Sequence, residues 1–288
     1  FSSRRRHTRY ISVTGVQDVC SSDLEDLGEA GDITTNALIP PSLRARAVIA
    51  ARKPGVIAGI PVAVRVFALV DPSLTVTPRI QDGTNVAAGD VVLDLAGAAA
   101  SILTAERVAL NFLGHLSGVA TATNEIVRAV AHTRATIIDT RKTTPGLRVL
   151  EKYAVRCGGG GNHRMGLYDM VLIKDNHIAA AGGVAPAIRA AKRAVANKSI
   201  KIEIEVDMLA QLDEVLAEGV DQVLLDNMDP ATMEVAVARI AGRAVTEASG
   251  SVTKATAPAI AESGVDLISA GWITHSAPSL DLGLDFLE

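Results

Sequence analysis

In its last third the chain repeats one unit of architecture. Strand-like apolar runs begin near Lys201, Gln222, Ala244 and Asp266, at intervals of 21 or 22 residues. That interval holds one strand, one helix and two short loops, the parallel crossover unit. Two further strand candidates begin near Ile137 and Met170. The segments between them carry helix punctuation. Gly219 ends a helix running from Met208, and Gly242 ends one running from Pro230. Thr144–Pro145 places a capping hydroxyl before a proline, and Gly158 follows as a stop. Six such units with short loops predict a parallel βα barrel, with a doubly wound sheet as the less favoured arrangement.

The composition agrees. Hydrophobic residues make up 48% and aromatics only 3% of 288 residues, so the core must be built from Ala, Val, Ile and Leu. Such residues suit parallel strands covered on both faces. The net charge of −4 argues against general nucleic-acid binding and makes any basic site a local one. No apolar run reaches the roughly 18 residues of a membrane span. The best candidate, Val56–Val64, lies between Lys53 and Arg65. Two cysteines, Cys20 and Cys157, are too few for a disulfide framework, so a reducing cytoplasm is the expected location.

Residues 1–24 read differently from the rest. Four arginines fall within the first nine residues, with no periodicity and no apolar signal-peptide core. The segment resembles a translated sequencing adapter and is expected to be a non-native leader. Without its four Arg and two Asp, the remainder has 24 basic and 30 acidic residues, a net charge of −6.

From Ala45 to Asp94 the pattern predicts strands over AVIAARKPGVIAGI, VRVFALV, LTVTPRI and VVLDLAG, with the turn DGTNVAAGD among them. This region reads as a small N-terminal α+β domain over 25–112, with residues 275–288 expected to pack on it. The catalytic barrel is expected over 113–274. A long helix is predicted over Thr104–His132. It would put Arg107 in a first helical turn, where the helix dipole disfavours a cation.

The polar residues at the strand ends carry the chemistry. IIDT leads into Arg141 and Lys142; MVLI leads into Lys174, Asp175, Asn176 and His177. IEIEV carries Glu203 and Glu205 and is followed by Asp207, and VLLD ends in Asp226 and Asn227. AVTEA runs into Ser249-Gly250-Ser251, and LISA into Gly271. In a βα barrel these ends converge on one mouth. From Arg141 to His177 there are seven Lys/Arg against three acids. Two cations about 4 Å apart repel by roughly 4 kcal/mol at an effective dielectric near 20. Either internal carboxylates or anionic ligands must offset that. The run Gly158–Gly161 can bring His163 and Arg164 to the mouth, and the segments at Ser249 and Gly271 suit phosphate binding through backbone N–H groups. Neither nucleotide-binding glycine motif, no zinc pattern and no G-x-S-x-G elbow occurs.

Several long motifs in order carry a family resemblance: EDLGEAGDITT, ERVALNFLGHLSGVATAT, DTRKTTPGLR, KYAVRCGGGGNHRMGLYDMVLIKDNH, EIEV, VLLDN, EASG and DLISAGWITHS. Together they resemble the quinolinate phosphoribosyltransferases, from about Leu24 to the end of the chain. The resemblance implies an incomplete, seven-stranded parallel α/β barrel with an N-terminal α+β sandwich-like domain. It implies transfer of phosphoribosyl from phosphoribosyl pyrophosphate to quinolinate with Mg²⁺ and no organic cofactor, releasing pyrophosphate and CO₂. It also implies a homodimer, with larger assemblies open, in which the barrel mouth of one subunit receives Arg107 from the other.

By that resemblance the quinolinate-binding cations are Arg107, Arg141, Lys142, His163, Arg164 and Lys174. Glu205 and Asp226 lie near the ribose and metal, and Asn227, Ser249, Gly250 and Gly271 lie around the phosphoribosyl group. Lys142, Lys174, Glu205 and Asp226 are the expected catalytic residues. Two other readings stay open. Molybdenum-transport-associated paralogues share TRKTTPGLR but depart where NHRMG and IKDNH stand here, and a Schiff-base lyase would use Lys174 as its amine.

Overall fold

The computed structural model describes residues 26–196 and 198–287, so the expected leader 1–24 lies outside the described residues. Twelve strands run in chain order: β1 (Arg44–Ala51), β2 (Gly55–Val56), β3 (Thr75–Pro78), β4 (Asn85–Val86), β5 (Val91–Ala98), β6 (Thr136–Ile138), β7 (Val171–Ile173), β8 (Ile202–Val206), β9 (Gln222–Asp226), β10 (Val245–Ser249), β11 (Leu267–Ser269) and β12 (Leu282–Leu287). The chain forms two compact units. One comprises residues to Ala122, Thr144–Gly158 and the segment from Ser276; the other comprises Thr123–Thr143 and Gly159–His275.

The first unit is built on an antiparallel sheet of order β12-β1-β5-β3, with β2 paired to β4. The proline of β3 sits on an edge strand, where its missing N–H costs no ladder bond. VRVFALV, expected as a strand, lies in the helix Ile60–Val70. A continuous apolar run satisfies both periodicities, and here the flanking residues decide. Pro61 sits in the first turn, and Asp82 accepts the N–H groups of Gly59 and Ile60 at 3.0 Å each, capping the helix start. The Tyr153 hydroxyl donates to the same carboxylate at 2.6 Å.

Two other expectations move. The long helix spans Ala99–Val130, so Arg107 lies two turns inside it and the dipole argument does not apply. The helix expected to start at Pro145 starts at Arg148. Gly146 takes φ +84°, a left-handed turn that an α-helix cannot include.

Gly114 and Gly118, four residues apart on one helix face, let the C-terminal segment cross closely. Leu280 N–H donates to Gly114 O at 2.9 Å, and a Cβ on Gly118 would stand 2.2 Å from the Pro278 carbonyl oxygen. From there the chain enters β12 and pairs with β1 over Arg46–Ala51.

The second unit holds a parallel sheet of order β6-β11-β10-β9-β8-β7. All six strands begin within one residue of the positions read from the sequence. A lone parallel bridge between Ile138 and Gly161 extends the sheet beyond β6, where a seventh strand would stand. The glycine run around it has no side chains to pack as a longer strand. Along β8, β9 and β10 the residues alternate: Ile202, Ile204, Val206, Val223, Leu225 and Ala248 are buried apolar groups on one face. Glu203, Glu205, Gln222, Asp226, Glu247 and Ser249 occupy the other.

On that polar face Glu203, Gln222 and Glu247 form one buried layer. Glu203 and Gln222 are register partners, and Gln222 Nε2 donates to Glu203 Oε1 at 2.7 Å and to Glu247 Oε2 at 2.6 Å. Burial, and next the neighbouring Glu203 charge, push the Glu247 carboxyl well above the ordinary value near 4.5.

Two outcomes are expected. Gly118→Ala forces the Pro278 backbone aside at a cost of about 1–3 kcal/mol, read as a lowered Tm. Folded Glu247 holds its proton more tightly than the unfolded chain does. Its contribution to stability is therefore greatest below about pH 4.5 and is lost as the pH rises through the raised value. Glu247→Gln keeps the shape without the ionisation, so the Tm of the variant should gain on wild type as the pH rises above about 4.5 and level off once the raised value is passed. Parallel curves would contradict this.

Candidate active site

One cavity of about 760 Å³ opens at the C-terminal ends of the parallel strands, within the second unit. This is the size of a small-molecule site. Four of its lining residues are cations: Arg141, Lys142, Arg164 and Lys174. His163, Glu205, Asp226, Asn227, Ser249, Gly250 and Gly271 also line it. Every expected site residue except Arg107 therefore meets here. Arg107 lies in the first unit, with a largely exposed side chain whose nearest acid is Glu106 at 3.9 Å.

Each cation is held by local chemistry. Lys174 ends β7 and pairs with Glu205, which projects from β8 beside it. Arg164 donates from Nη1 to Met170 O at 3.0 Å. Burial, and next the charge of Arg141, push its guanidinium down from the ordinary arginine value, while Glu203 and Asp169 counteract this. An arginine keeps its charge through such a shift. Burial would raise the Asp169 carboxyl, but N–H bonds from Gly166 and Met165 hold it below the usual carboxylate range, so it serves as the anion that turns this loop.

Lys142 lies over Gly271. A Cβ there would meet Lys142 Cδ at 2.9 Å and Thr140 Oγ1 at 3.2 Å, so the glycine makes room for the lysine stem. Thr274 Oγ1 donates to the Lys142 carbonyl at 2.7 Å and reaches Gly271 O at 2.9 Å, tying the ends of β6 and β11 together.

The far side of the cavity is shaped by strained backbone. Asn227 takes φ +53° and Ser251 φ +48°, two of three non-glycine residues with positive φ among the described residues. Gly250 between them takes φ +104°, and a Cβ on it would stand 2.1 Å from Asn227 Oδ1. Successive turns of this kind aim backbone N–H groups into a concavity suited to an anionic oxygen group. Asn227 also donates from Nδ2 to Asp226 at 2.7 Å. Glu205 and Asp226 offer hard carboxylate oxygens, the donor type that Mg²⁺ takes alongside substrate phosphates. The residues fit that ion.

His163 lines the cavity and is also hydrogen-bonded to the layer beneath it. Its side chain is 7% exposed, its Nε2 lies 3.0 Å from Glu203 Oε2, and its Nδ1 accepts the Arg164 N–H at 2.7 Å. Both ring nitrogens face the protein. Asp139, buried at the end of β6, holds the turn before it by accepting from Asn162 Nδ2 at 2.6 Å and His163 N at 2.9 Å.

Sequence reasoning did not single out Thr140, Glu247, Ser251, Trp272 and His275 as site residues, yet all five line the cavity. Glu247 was within reach, because it precedes Ser249 by two positions and so shares its face of β10. Trp272 Nε1 donates to Val252 O at 2.9 Å, a contact that no local pattern encodes.

Comparison with known proteins supplies the family. Residues 32–117 match the family model "Quinolinate phosphoribosyl transferase, N-terminal domain", and residues 119–285 match the C-terminal domain of the same family. A nicotinate-nucleotide pyrophosphorylase (carboxylating) of Mycobacterium leprae (strain TN) is 47% identical over 91% of this chain and 93% of its own length. A quinolinate phosphoribosyltransferase (decarboxylating) of Nicotiana tabacum is 44% identical over 90% of this chain and 79% of its own. The solved nicotinate-nucleotide pyrophosphorylase of Francisella tularensis superposes with a TM-score of 0.91 at 38% identity, covering 96% of this chain and 99% of that one. By both domain models and by identities of this size over nearly the whole chain, this protein belongs to the quinolinate phosphoribosyl transferase family.

Proposed function

We propose that this chain transfers the phosphoribosyl group from phosphoribosyl pyrophosphate to quinolinate with decarboxylation. The products are nicotinate mononucleotide, pyrophosphate and CO₂, a step of de novo NAD biosynthesis. The observation that carries this reading is the convergence of Arg141, Lys142, Arg164 and Lys174 with Glu205 and Asp226 in one cavity. Quinolinate is a dianion and its co-substrate carries several more charges, so their encounter needs a basic pocket. Arg141 and Arg164 present planar donor pairs suited to the two carboxylates. Lys142 and Lys174, which follow the two edge strands β6 and β7, contact both substrates.

As pyrophosphate leaves, C1′ gains oxocarbenium character, and the carboxylates of Glu205 and Asp226 stabilise that positive charge. The backbone turns at Ser249–Ser251 and Gly271 hold the 5′-phosphate. Once the ring nitrogen is bonded to C1′, its positive charge stabilises the carbanion left as CO₂ departs from the adjacent carbon, and a proton from solvent water completes that carbon. No organic cofactor is required. Mg²⁺, held by Glu205 and Asp226 together with substrate oxygens, would supply charge neutralisation at the pyrophosphate.

The dimer belongs to the same proposal. The exposed side chain of Arg107 serves as a quinolinate ligand in the cavity of a second subunit. Among the described residues, no helix is long and apolar enough to cross a membrane. A cytoplasmic location follows from the cysteine content and the soluble substrates. The Schiff-base alternative loses ground because the Lys174 ammonium is paired with Glu205, which suits an anion contact better than a free amine nucleophile.

With phosphoribosyl pyrophosphate and Mg²⁺, quinolinate should yield nicotinate mononucleotide and nicotinate none; turnover of nicotinate alone would refute the reading. Arg141→Ala removes a charged hydrogen-bond partner worth about 3 kcal/mol, so kcat/KM for quinolinate should fall roughly a hundredfold. Arg107→Ala and Arg141→Ala subunits, each nearly inactive, should regain about a quarter of wild-type activity when mixed. Half of the randomised dimers are hybrids, and each hybrid has one site with both arginines. Failure of the mixture to recover activity would remove Arg107 from the partner's site.

A further inference from the structure

Beneath the cavity, three buried polar side chains converge on one ring, that of His163. Glu203 Oε2 lies 3.0 Å and Glu247 Oε2 3.5 Å from His163 Nε2, and Gln222 bridges the two carboxyl groups. The other ring nitrogen accepts the backbone N–H of Arg164 at 2.7 Å. An acceptor nitrogen carries no proton, so these partners assign the ring proton to Nε2.

A buried polar layer of this kind is weak evidence for a stabilising role in the barrel floor. Apolar side chains of similar volume would fill the layer without the cost of burying carboxyl groups, and such replacements are often neutral or stabilising. Every member of the cluster instead points, directly or through Gln222, to a single atom of His163. The opposite atom of that ring holds the peptide from which the Arg164 side chain departs into the cavity.

We propose that Glu203, Gln222 and Glu247 are positioning residues that fix the Nε2–H tautomer of His163 and, through its Nδ1, the aim of the Arg164 guanidinium at the quinolinate carboxylates. The ring acts as a spacer with a donor on one side and an acceptor on the other. Turning it over would set the Arg164 N–H against Cδ2–H, and moving the proton would set it against an N–H donor; either change removes the acceptor and releases the loop. The buried layer thereby governs how well the diacid is held, and the departure of pyrophosphate on the other side of the cavity is left untouched.

The kinetic part of this inference rests on the proposed reaction; the tautomer does not. In protein labelled with ¹⁵N-histidine, a long-range ¹H–¹⁵N correlation should show His163, assigned by its loss in His163→Asn, as an Nε2–H ring. A proton on Nδ1, alone or together with one on Nε2, overturns the proposal whether or not quinolinate is a substrate. In turnover, Glu203→Leu should raise KM for quinolinate at least tenfold. Its kcat should stay within threefold and its KM for phosphoribosyl pyrophosphate within twofold. Glu203→Gln, which keeps an acceptor for Nε2–H, should recover most of the loss. A folded Glu203→Leu enzyme with unchanged quinolinate KM overturns the proposal. If that variant does not fold, Gln222→Leu is held to the same criterion. A wild-type protein without quinolinate turnover would refute the proposed function and leave the tautomer result to decide this one.

Discussion

Cations crowded into one cavity repel, and much of the second unit is arranged to hold them there. Burial and then the charge of Arg141 weaken the hold of Arg164 on its proton, while Glu203 and Asp169 act in the opposite direction. Lys174 has Glu205 beside it. At an effective dielectric near 20 a close pair of like charges costs roughly 4 kcal/mol, a large share of a domain's net stability. The internal acids lower that cost. What remains is the attraction an anionic ligand feels.

The parallel sheet makes this arrangement possible. Period-two alternation sends one set of side chains to the helices and the other to the interior. The helix-facing set is Ile, Val, Leu and Ala, and supplies the burial that drives folding. The interior set can then be polar, in two tiers. The upper tier, at the strand ends, opens to the cavity; the lower tier of Glu203, Gln222 and Glu247 is buried, with Glu247 reaching the cavity wall. A single ring, His163, joins the two.

Glycines appear where backbones or side chains must approach closely. Gly271 leaves space for the Lys142 stem, Gly250 for the Asn227 side chain, and Gly118 for the C-terminal segment. In the first two cases the space created lies in the cavity wall, so cavity shape and packing impose the same requirement on the residue.

The sequence alone determined the positions of the six parallel strands, because alternating apolar runs and glycine stops are local signals carried within each unit. It likewise identified the charged strand ends, since a parallel barrel gathers those ends whatever its details. Three other features came only from tertiary structure. VRVFALV became a helix because Asp82, distant in sequence, caps its first turn. The segment Thr144–Gly158 joined the first unit although both of its chain neighbours belong to the second. The contacts of His163 with Glu203 and Glu247 exist because those acids arrive from two other strands. Local periodicity fixes which face a residue occupies; which distant groups it meets there depends on strand register and loop path, and these exist only once the chain has folded.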